Sequence, residues 1–239
     1  MKTRSSLTII VPVYNEERCL DQFHCEMDKF LNAAPLPSKV LFVNDGSTDS
    51  SQKIIERICL QDPRYHFLQW EANHGLSTAL KAGIDHCNGS LIGYIDADIQ
   101  TSPMDFLKLL EYIPEYDLVT GIRKKRKDSL LKVASSRVAN YLRRMLNHDA
   151  FKDTGCPLKI GKARHLKQIP WFEGMHRFLP SLVRMAGGKV YQVPIRHFPR
   201  YAGDAKYGFL NRVTVALVDM LAFRWMQSHY IRYEIEKQK

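Results

Sequence analysis

Two aspartates separated by a single residue, Asp96 and Asp98, follow the apolar segment LIGYI of residues 91–95. Such a segment is typical of a buried strand. In an extended chain both carboxylates therefore point one way while Ala97 points the other. Two like charges this close raise each other's pKa unless a cation or a hydrogen-bond network accepts them. The pattern predicts a partner for the pair, and the functional candidate is Mg²⁺ or Mn²⁺, hard cations that prefer carboxylate oxygens.

A further acidic candidate lies in VNDGSTD, residues 43–49. A strand that ends in these residues places the Asp45 carboxylate at the mouth of a sheet. Gly46 permits a tight turn, and the Ser and Thr that follow can cap the next helix. Asp45 could there accept hydrogen bonds from a base or a ribose. The alternative is that Asp-Gly is only a turn signal.

The charge of the chain is unevenly distributed. Its 239 residues include 35 Lys and Arg and 25 Asp and Glu, a net charge of +10. Residues 1–120 contain 10 basic and 17 acidic residues, net −7, whereas residues 121–239 contain 25 and 8, net +17. The asymmetry predicts an anionic partner for the second half, such as nucleic acid, anionic lipid or a phosphorylated substrate. For any single Lys or Arg, a solvated surface position is the alternative.

Composition and the lengths of the apolar runs indicate a globular protein and not a secreted or membrane-spanning one. With 45% hydrophobic residues the chain can build a full core. The run LTIIVPV of residues 7–13 leads directly into acidic residues, and no stretch approaches the roughly 20 apolar residues that span a bilayer, so neither a signal peptide nor a transmembrane span is expected. Five cysteines without Cys-x-x-Cys spacing indicate reduced thiols in a cytoplasmic protein.

Strand and helix patterns alternate through the first 120 residues. Strands are predicted at 7–13, 40–43, 65–69, 91–95 and 118–120, and helices at 17–31, 49–60, 76–86 and 103–112. This alternation implies right-handed crossovers and a mostly parallel sheet, whose ligands bind beyond the carboxyl ends of the strands. The polar residues that end these runs should therefore converge on one cleft.

From residue 121 the pattern changes. The basic segment IRKKRKD leads into a helix predicted near 130–146, then a Gly- and Pro-punctuated segment, DTGCPLKIGK. A helical stretch around 175–186, a strand within 189–198 and an amphipathic helix over 209–227 follow. We expect one domain over 1–208, with halves 1–120 and 121–208, and a helix and tail over 209–239.

Several of these segments together resemble the family 2 glycosyltransferases of GT-A fold. The segments are IIVPVYNEE (9–17), FVNDGSTD (42–49), NHG followed by TALKAGI (73–84), YIDADIQ (94–100) and GIR (121–123). DTGC (153–156), residues 174–200 and RYAGDAKYG (200–208) are similar to the dolichol-phosphate mannose synthase branch, which includes bacterial polyprenyl-phosphate glycosyltransferases. The resemblance covers nearly the whole chain. It implies an α/β, Rossmann-like GT-A domain with a nucleotide-sugar half and an acceptor half.

The resemblance also implies a role for individual residues. Those implied to bind the nucleotide sugar are Pro12, Tyr14, Glu16, Val43, Asp45, Asp96, Ala97, Asp98 and Arg123. Asp96, Asp98 and Gln100 would hold Mg²⁺ or Mn²⁺. Asp98, Asp153 and Arg123 would act at the reacting centre, and Arg137, Arg200 and Lys206 would gather the phosphates of donor and acceptor.

The implied activity is inverting, metal-dependent hexosyl transfer from a UDP- or GDP-linked sugar to undecaprenyl or dolichyl phosphate, in cell envelope biosynthesis. A polyprenyl monophosphate is already an anion, so it can attack the sugar without a strong general base. The family's loop usually has Ser before its Lys, whereas this chain has Ala205 before Lys206. One expected hydroxyl contact is therefore missing.

The end of the chain differs from many relatives, which append transmembrane helices. Its helix carries Val213, Leu217, Met220 and Leu221 on one predicted face. Trp225, Tyr230 and Tyr233 alternate with Arg224 and Arg232. This composition predicts an interfacial helix and a peripheral protein on the inner face of the cytoplasmic membrane. The alternative is a helix docked on its own core, on a sister subunit or on an integral membrane partner.

The sequence supports four alternative functions less well. A family 2 enzyme could use a soluble or glycan acceptor. The +17 half could bind nucleic acid, although it has no recognisable recognition helix. Phosphatases of the haloacid dehalogenase type also use Asp-x-Asp, but they have Thr two places later, where this chain has Gln100. An inactive scaffold is disfavoured because the acidic pair and the loop residues are all present.

Overall fold

The computed structural model describes residues 5–123, 151–199 and 209–231, with the backbone alone for 209–216. One seven-stranded sheet has the order β3-β2-β1-β4-β6-β5-β7. The strands are β1 (Leu7–Val13), β2 (Ser38–Asp45), β3 (Tyr65–Trp70), β4 (Leu91–Tyr94), β5 (Leu118–Arg123), β6 (Lys159–Lys162) and β7 (Val190–Ile195). All pairs are parallel except those of β6, which is antiparallel to both β4 and β5.

Helices cover both faces of this sheet. They are α1 (Glu17–Ala33), α2 (Ser51–Gln61), α3 (Leu76–His86), α4 (Phe106–Leu110), α5 (Ala163–Gln168), α6 (Leu179–Met185) and α7 (Phe209–His229). Short 3₁₀ turns, Pro103–Asp105 and Met175–Phe178, precede α4 and α6. The side chains of α1, α2 and α4 join one core cluster, and those of α3, α5, α6 and α7 join a second cluster on the other face.

The apolar patterns explain why these elements form. β1 is covered on both faces, and a strand in that position is apolar along its whole length rather than at alternate positions. In α1 the predicted stripe of Leu20, Phe23 and Met27 is buried, because a spacing of three and four residues keeps these side chains on one face.

A crevice opens at the carboxyl ends of β1 and β4. The β1–β2 ladder continues to Val13 and Asn44, whereas the β1–β4 ladder ends at Ile10 and Tyr94. The strand order also reverses at β1. The next strands in sequence, β2 and β3, lie on one side of it, and β4 lies on the other. A ligand site is expected at such a switch point.

The predicted α/β architecture with a mostly parallel sheet is confirmed, and the bounds of β1 and α3 match the predictions. Strand β6 and helix α5 were not predicted. β6 has only four residues, and it is held by two antiparallel neighbours that are distant in sequence, so it carries no periodic signal of its own. The helix predicted near 130–146 lies outside the described residues.

Helix α7 corrects the prediction of a single apolar face. Met220 and Phe223 are buried in the second core cluster, and the Phe223 ring stacks on Phe178 with centroids 5.1 Å apart. Leu221 and Trp225 lie on the opposite side, 59% and 65% exposed. Met220 and Leu221 therefore face different surroundings, because consecutive helical residues are about 100° apart. Within the described part of the chain, no helix has the length and apolarity needed to cross a bilayer.

Candidate active site

The polar residues predicted to converge all lie at the same edge of the sheet, at the carboxyl ends of the parallel strands. Residues 14–16 follow β1, Asp45 ends β2, Asp96 and Asp98 follow β4, and Arg123 ends β5. Pro12 and Val43 are paired in register across β1 and β2. Val43 is fully buried in the second core cluster, so any contact it makes with a ligand would be through its main chain.

The loops after β1 and β2 cap each other's helices. The Asp49 carboxylate accepts hydrogen bonds from the N–H of Glu17 (3.1 Å) and of Ser51 (2.9 Å), which begin α1 and α2. In return the Glu17 carboxylate accepts the N–H of Ser50 (2.9 Å). Free N–H groups at both helix starts are thus satisfied from the neighbouring loop. This exchange fixes one wall of the crevice.

Asn15 adds a second tie between the same loops. Its N–H donates to Ser47 Oγ (3.0 Å), and its side-chain oxygen accepts the N–H of Thr48 (2.8 Å). Asn15 has φ +53°, a left-handed conformation that Asn tolerates better than most residues. Tyr14 and Glu16, predicted to line the nucleotide pocket, flank this fixed residue and are both partly exposed.

Asp45 holds the segment before α3 against the end of β2. Its carboxylate accepts hydrogen bonds from Trp70 Nε1 (2.7 Å), Asn73 Nδ2 (3.0 Å), His74 N (2.7 Å) and Gly75 N (2.9 Å). Each carboxylate oxygen therefore already accepts two hydrogen bonds. The sequence analysis interpreted Asp45 either as a ligand contact or as part of a turn signal. The structure shows a further role that neither interpretation included, which is to hold residues 73–75 against the end of β2. Contact between Asp45 and a base or ribose stays a prediction.

The acidic pair lies at the centre of the crevice. Tyr94 OH donates to Asp96 Oδ1 (2.7 Å), and the N–H of Gln100 donates to Asp98 Oδ1 (3.1 Å). Strand β4 ends at Tyr94, one residue earlier than predicted, and Ala97 and Asp98 lie in a turn and not in an extended segment. Ala97 is buried in the first core cluster. Burial, and then the Asp98 carboxylate, raise the pKa of Asp96 to about 6. The pair is therefore a site of concentrated negative charge that a cation would relieve.

The chain turns sharply after the pair. Ile99 has φ +59°, which is strained for a β-branched residue and typically costs about 1–3 kcal/mol. Its side chain packs against the first core cluster, which compensates for part of that cost. The turn lets the Gln100 carbonyl accept the N–H of Phe198 (2.9 Å). The acidic pair is thus joined to the segment that leads towards Arg200.

The donor set suits a hard divalent ion. Among the described residues, no group of three or more His, Cys, Asp or Glu side chains could hold a metal. Two carboxylates are nevertheless what Mg²⁺ and Mn²⁺ commonly take from a protein when substrate phosphates and water supply the other ligands. Each carboxylate is oriented by a donor on Oδ1, which holds the pair in place.

Arg123 and Asp153 form a bidentate ion pair beside the acidic pair. Arg123 Nε and Nη2 donate to Asp153 Oδ2 (2.8 Å) and Oδ1 (2.9 Å), and the side chains are only 15% and 13% exposed. Burial alone would lower the pKa of Arg123, but Asp153 outweighs it and raises that pKa. The two predicted residues are brought together as partners. Both oxygens of Asp153 are thereby engaged by Arg123.

Two residues that support this region were not predicted. Gln192 of β7 binds the Asp153 carbonyl (2.9 Å) and Thr120 Oγ1 (3.1 Å) through its amide nitrogen. Lys159 of β6 is 2% exposed, and its ammonium binds the carbonyl of Cys156. Gln192 stands out as a polar residue in the largely apolar strand β7, whereas Lys159 begins a four-residue strand with two lysines and has no such signal. Arg137, Arg200 and Lys206 lie outside the described residues.

Comparison with known proteins points to one family. The model of glycosyl transferase family 2 matches residues 8–168. The dodecaprenyl-phosphate galacturonate synthase of Rhizobium johnstonii is 31% identical over 235 residues, 95% of this chain and 68% of the relative. The undecaprenyl-phosphate 4-deoxy-4-formamido-L-arabinose transferase of Edwardsiella ictaluri is 28% identical over 217 residues, 90% and 66% of the two chains. This chain therefore spans about two thirds of the length of these relatives.

Two solved structures are similar in fold. Glucosyl-3-phosphoglycerate synthase from Mycobacterium tuberculosis, in complex with Mn²⁺, UDP-glucose and phosphoglyceric acid, has a TM-score of 0.68 at 13% identity over 95% of this chain and 81% of that one. The mannosyltransferase PcManGT from Pyrobaculum calidifontis, in complex with GDP-mannose and Mn²⁺, has a TM-score of 0.65 at 17% identity over 97% and 66% of the two chains. Likeness at such identity shows the fold alone.

The Arg123–Asp153 pair leads to a prediction about stability. Arg123→Met or Asp153→Asn alone leaves an uncompensated charge in a mostly buried place, which should cost about 3 kcal/mol of unfolding free energy. The double variant should lose less than the sum, with a coupling energy of about 2 kcal/mol in urea unfolding.

The exposed pair of Lys81 and Asp85 on α3, with side chains 40% and 47% exposed, is the matched control. A cycle of Lys81→Met and Asp85→Asn should show a coupling of at most about 0.5 kcal/mol, because water screens that pair. Equal coupling in the two cycles would contradict a buried, structurally important Arg123–Asp153 pair.

Proposed function

The chain belongs to glycosyl transferase family 2, and we propose that it moves a sugar from a UDP- or GDP-linked donor to a polyprenyl phosphate. The predicted fold class is confirmed, since the similar solved structures are GT-A glycosyltransferases. The observation that carries the proposal is the acidic pair, Asp96 and Asp98, which follows β4 at the switch point of the sheet and is oriented by hydrogen bonds from Tyr94 and Gln100. Family membership also favours an enzyme over a nucleic-acid-binding protein.

The acidic pair supports a divalent metal cofactor. Asp96 and Asp98, with Gln100 beside them, would hold Mg²⁺ or Mn²⁺ against the donor's diphosphate. When bound, such an ion neutralises the charge that develops on the leaving diphosphate. The chain's own part is to orient the two carboxylates through Tyr94 OH and the N–H of Gln100.

The state of Asp153 supports an anionic acceptor. A hydroxyl acceptor needs a base to take its proton, and both oxygens of Asp153, the carboxylate predicted at the reacting centre, already accept hydrogen bonds from Arg123. A phosphate monoester is already ionised near neutral pH and needs no such base. Attack in line with the departing diphosphate is a single displacement, which inverts the anomeric configuration.

The predicted acceptor residues continue from the described part of the site. Phe198 is tied to the Gln100 carbonyl and lies two residues before Arg200. We propose that Arg137, Arg200 and Lys206 bind the phosphates of donor and acceptor, where their positive charge would offset two approaching anions.

The outer side of α7 supports peripheral attachment to the membrane. Val218, Leu221 and Trp225 are 65%, 59% and 65% exposed, and Arg224 is exposed beside them. The opposite side packs on the core, where Asp219 pairs with Arg177 at 2.8 Å. An apolar face with an aromatic and a basic residue suits the interface of a bilayer. We place the enzyme on the inner face of the cytoplasmic membrane, where its lipid acceptor would be reached.

A second acceptor class has a specific observation in its favour. The glucosyl-3-phosphoglycerate synthase of similar fold is solved in complex with phosphoglyceric acid, a soluble phosphorylated molecule. A water-soluble phosphate monoester would meet the same chemical requirement as a lipid phosphate. The two acceptors can be separated directly.

Transfer of radiolabel from a panel of UDP- and GDP-sugars tests the proposed reaction. With undecaprenyl phosphate and Mn²⁺ or Mg²⁺, one donor should give a product that extracts into butanol. Chelation with EDTA should reduce the rate at least about a hundredfold, because the diphosphate then leaves without a counter-ion. Label that appears only on phosphoglyceric acid would favour the soluble acceptor, and label on neither would contradict the proposed function.

Binding to anionic lipid vesicles tests the membrane face of α7. Leu221→Glu removes a large apolar contact and adds a charge, so it should weaken vesicle binding about tenfold or more. Leu60→Glu on α2, at a site 89% exposed, is the matched control and should bind like the wild type. If Leu221→Glu also binds like the wild type, the membrane assignment fails. If that variant instead dissociates a dimer in light scattering, the face is a subunit interface.

A further inference from the structure

A buried lysine lies beneath the acidic pair without a carboxylate of its own. Lys159 is directly opposite Tyr94 in the antiparallel pairing of β4 and β6, and it is 2% exposed. Its ammonium binds the carbonyl of Cys156. Among the described residues no carboxylate lies within 4.0 Å of it, although buried charges are nearly always paired in this way.

Tyr94 connects this lysine to the acidic pair. Lys159 Nζ lies over the face of the Tyr94 ring, 5.3 Å from its centroid, where the electron-rich surface attracts a cation. The hydroxyl at the far end of the same ring donates to Asp96 Oδ1 (2.7 Å). The ammonium, the ring and the carboxylate thus form one continuous chain of contacts.

The positive charge acts on the pair at short range. Lys159 and Arg123 both favour the ionised form of Asp96, which burial and Asp98 disfavour. Among the described residues, Arg123 is already paired with Asp153, whereas Lys159 has no carboxylate within salt-bridge distance. The carbonyl of Cys156 belongs to the same turn as Asp153, and its bond to Lys159 fixes that turn against β4.

We propose that Lys159 is a built-in counter-cation of the acidic pair, which weakens binding of a divalent ion until the donor's diphosphate arrives. The inference rests on the proposed function and deepens it: metal and nucleotide would bind as one unit. Lys159 is a positioning residue, since it acts through Tyr94 and Asp96 and not on the sugar.

The charges of the described residues explain why binding would be coupled. A divalent ion at the acidic pair would be attracted by the two carboxylates and repelled by Lys159, which is connected to the pair through one tyrosine ring. A diphosphate that carries two negative charges would offset that repulsion. Removing the lysine charge should therefore strengthen binding of the ion alone, by about tenfold at the separation set by one tyrosine ring.

Mn²⁺ affinity, measured from the free-ion signal in electron paramagnetic resonance without nucleotide, tests this inference. Lys159→Met should bind Mn²⁺ about tenfold more tightly than the wild type, and the gain in affinity on adding UDP should shrink by the same factor. Lys162→Met is the matched control: it removes a charge from the same strand, at the end where Lys162 pairs with Asp117 (3.0 Å). Its Mn²⁺ affinity should equal that of the wild type.

If Lys159 only stabilised the fold, Lys159→Met would bind Mn²⁺ less tightly than the wild type, because the substitution would distort the metal site. Unchanged or weaker Mn²⁺ binding by Lys159→Met overturns the proposal. If that variant does not fold, Lys159→Gln keeps a donor for the Cys156 carbonyl without the charge, and the same tightening is required of it. Equal Mn²⁺ affinity of the wild type with and without UDP also overturns the proposal. Sugar transfer by the wild type is measured separately, so failure of the proposed function is distinguishable.

Discussion

The repulsion between two carboxylates held at the end of one buried strand is the constraint on which the site depends. Asp96 and Asp98 are held close together, because the strand that precedes them is fixed between β1 and β6 and the residue between them is buried in the core. Hydrogen bonds from Tyr94 and Gln100 hold one oxygen of each carboxylate in place, and the turn that follows contains Ile99 in a strained conformation. Such an arrangement is unfavourable unless a cation binds there, and the family's chemistry supplies a reason for one.

The rest of the fold holds the surroundings of that pair rigid. Loops from β1 and β2 exchange helix caps through Asp49, and Asp45 closes the segment before α3 with four hydrogen bonds. The antiparallel strand β6 then carries the chain back beside β4, which places the turn of Asp153 and the ammonium of Lys159 against the pair. The antiparallel strand β6 therefore brings Lys159 to the acidic pair, while Arg123 ends the neighbouring strand β5.

The sequence was sufficient wherever the signal was local. β1 and α3 were predicted with their correct bounds, since a continuous apolar run and a helical stripe each carry their own periodicity. The placement of Asn15, Asp45 and Asp96 at one edge of the sheet followed from the geometry of parallel strands, whereas Arg123 was assigned from the family resemblance. The features that could not be predicted depend on contacts between residues that are distant in sequence. They are the pairing of Arg123 with Asp153, 30 positions apart, the hydrogen bonds from residues 70–75 to Asp45, and the short strand β6. The division of the apolar residues of α7 between core and surface was likewise decided by what packs on it, such as Phe178 on Phe223.

Anomalous diffraction from crystals soaked with Mn²⁺ and UDP tests most directly whether the acidic pair is the metal-binding site. The structure predicts one strong manganese peak bonded to carboxylate oxygens of Asp96 and Asp98 at about 2.0–2.3 Å, with diphosphate oxygens completing the shell. A manganese peak elsewhere in the crevice, or UDP bound with no metal at the pair, would contradict the account.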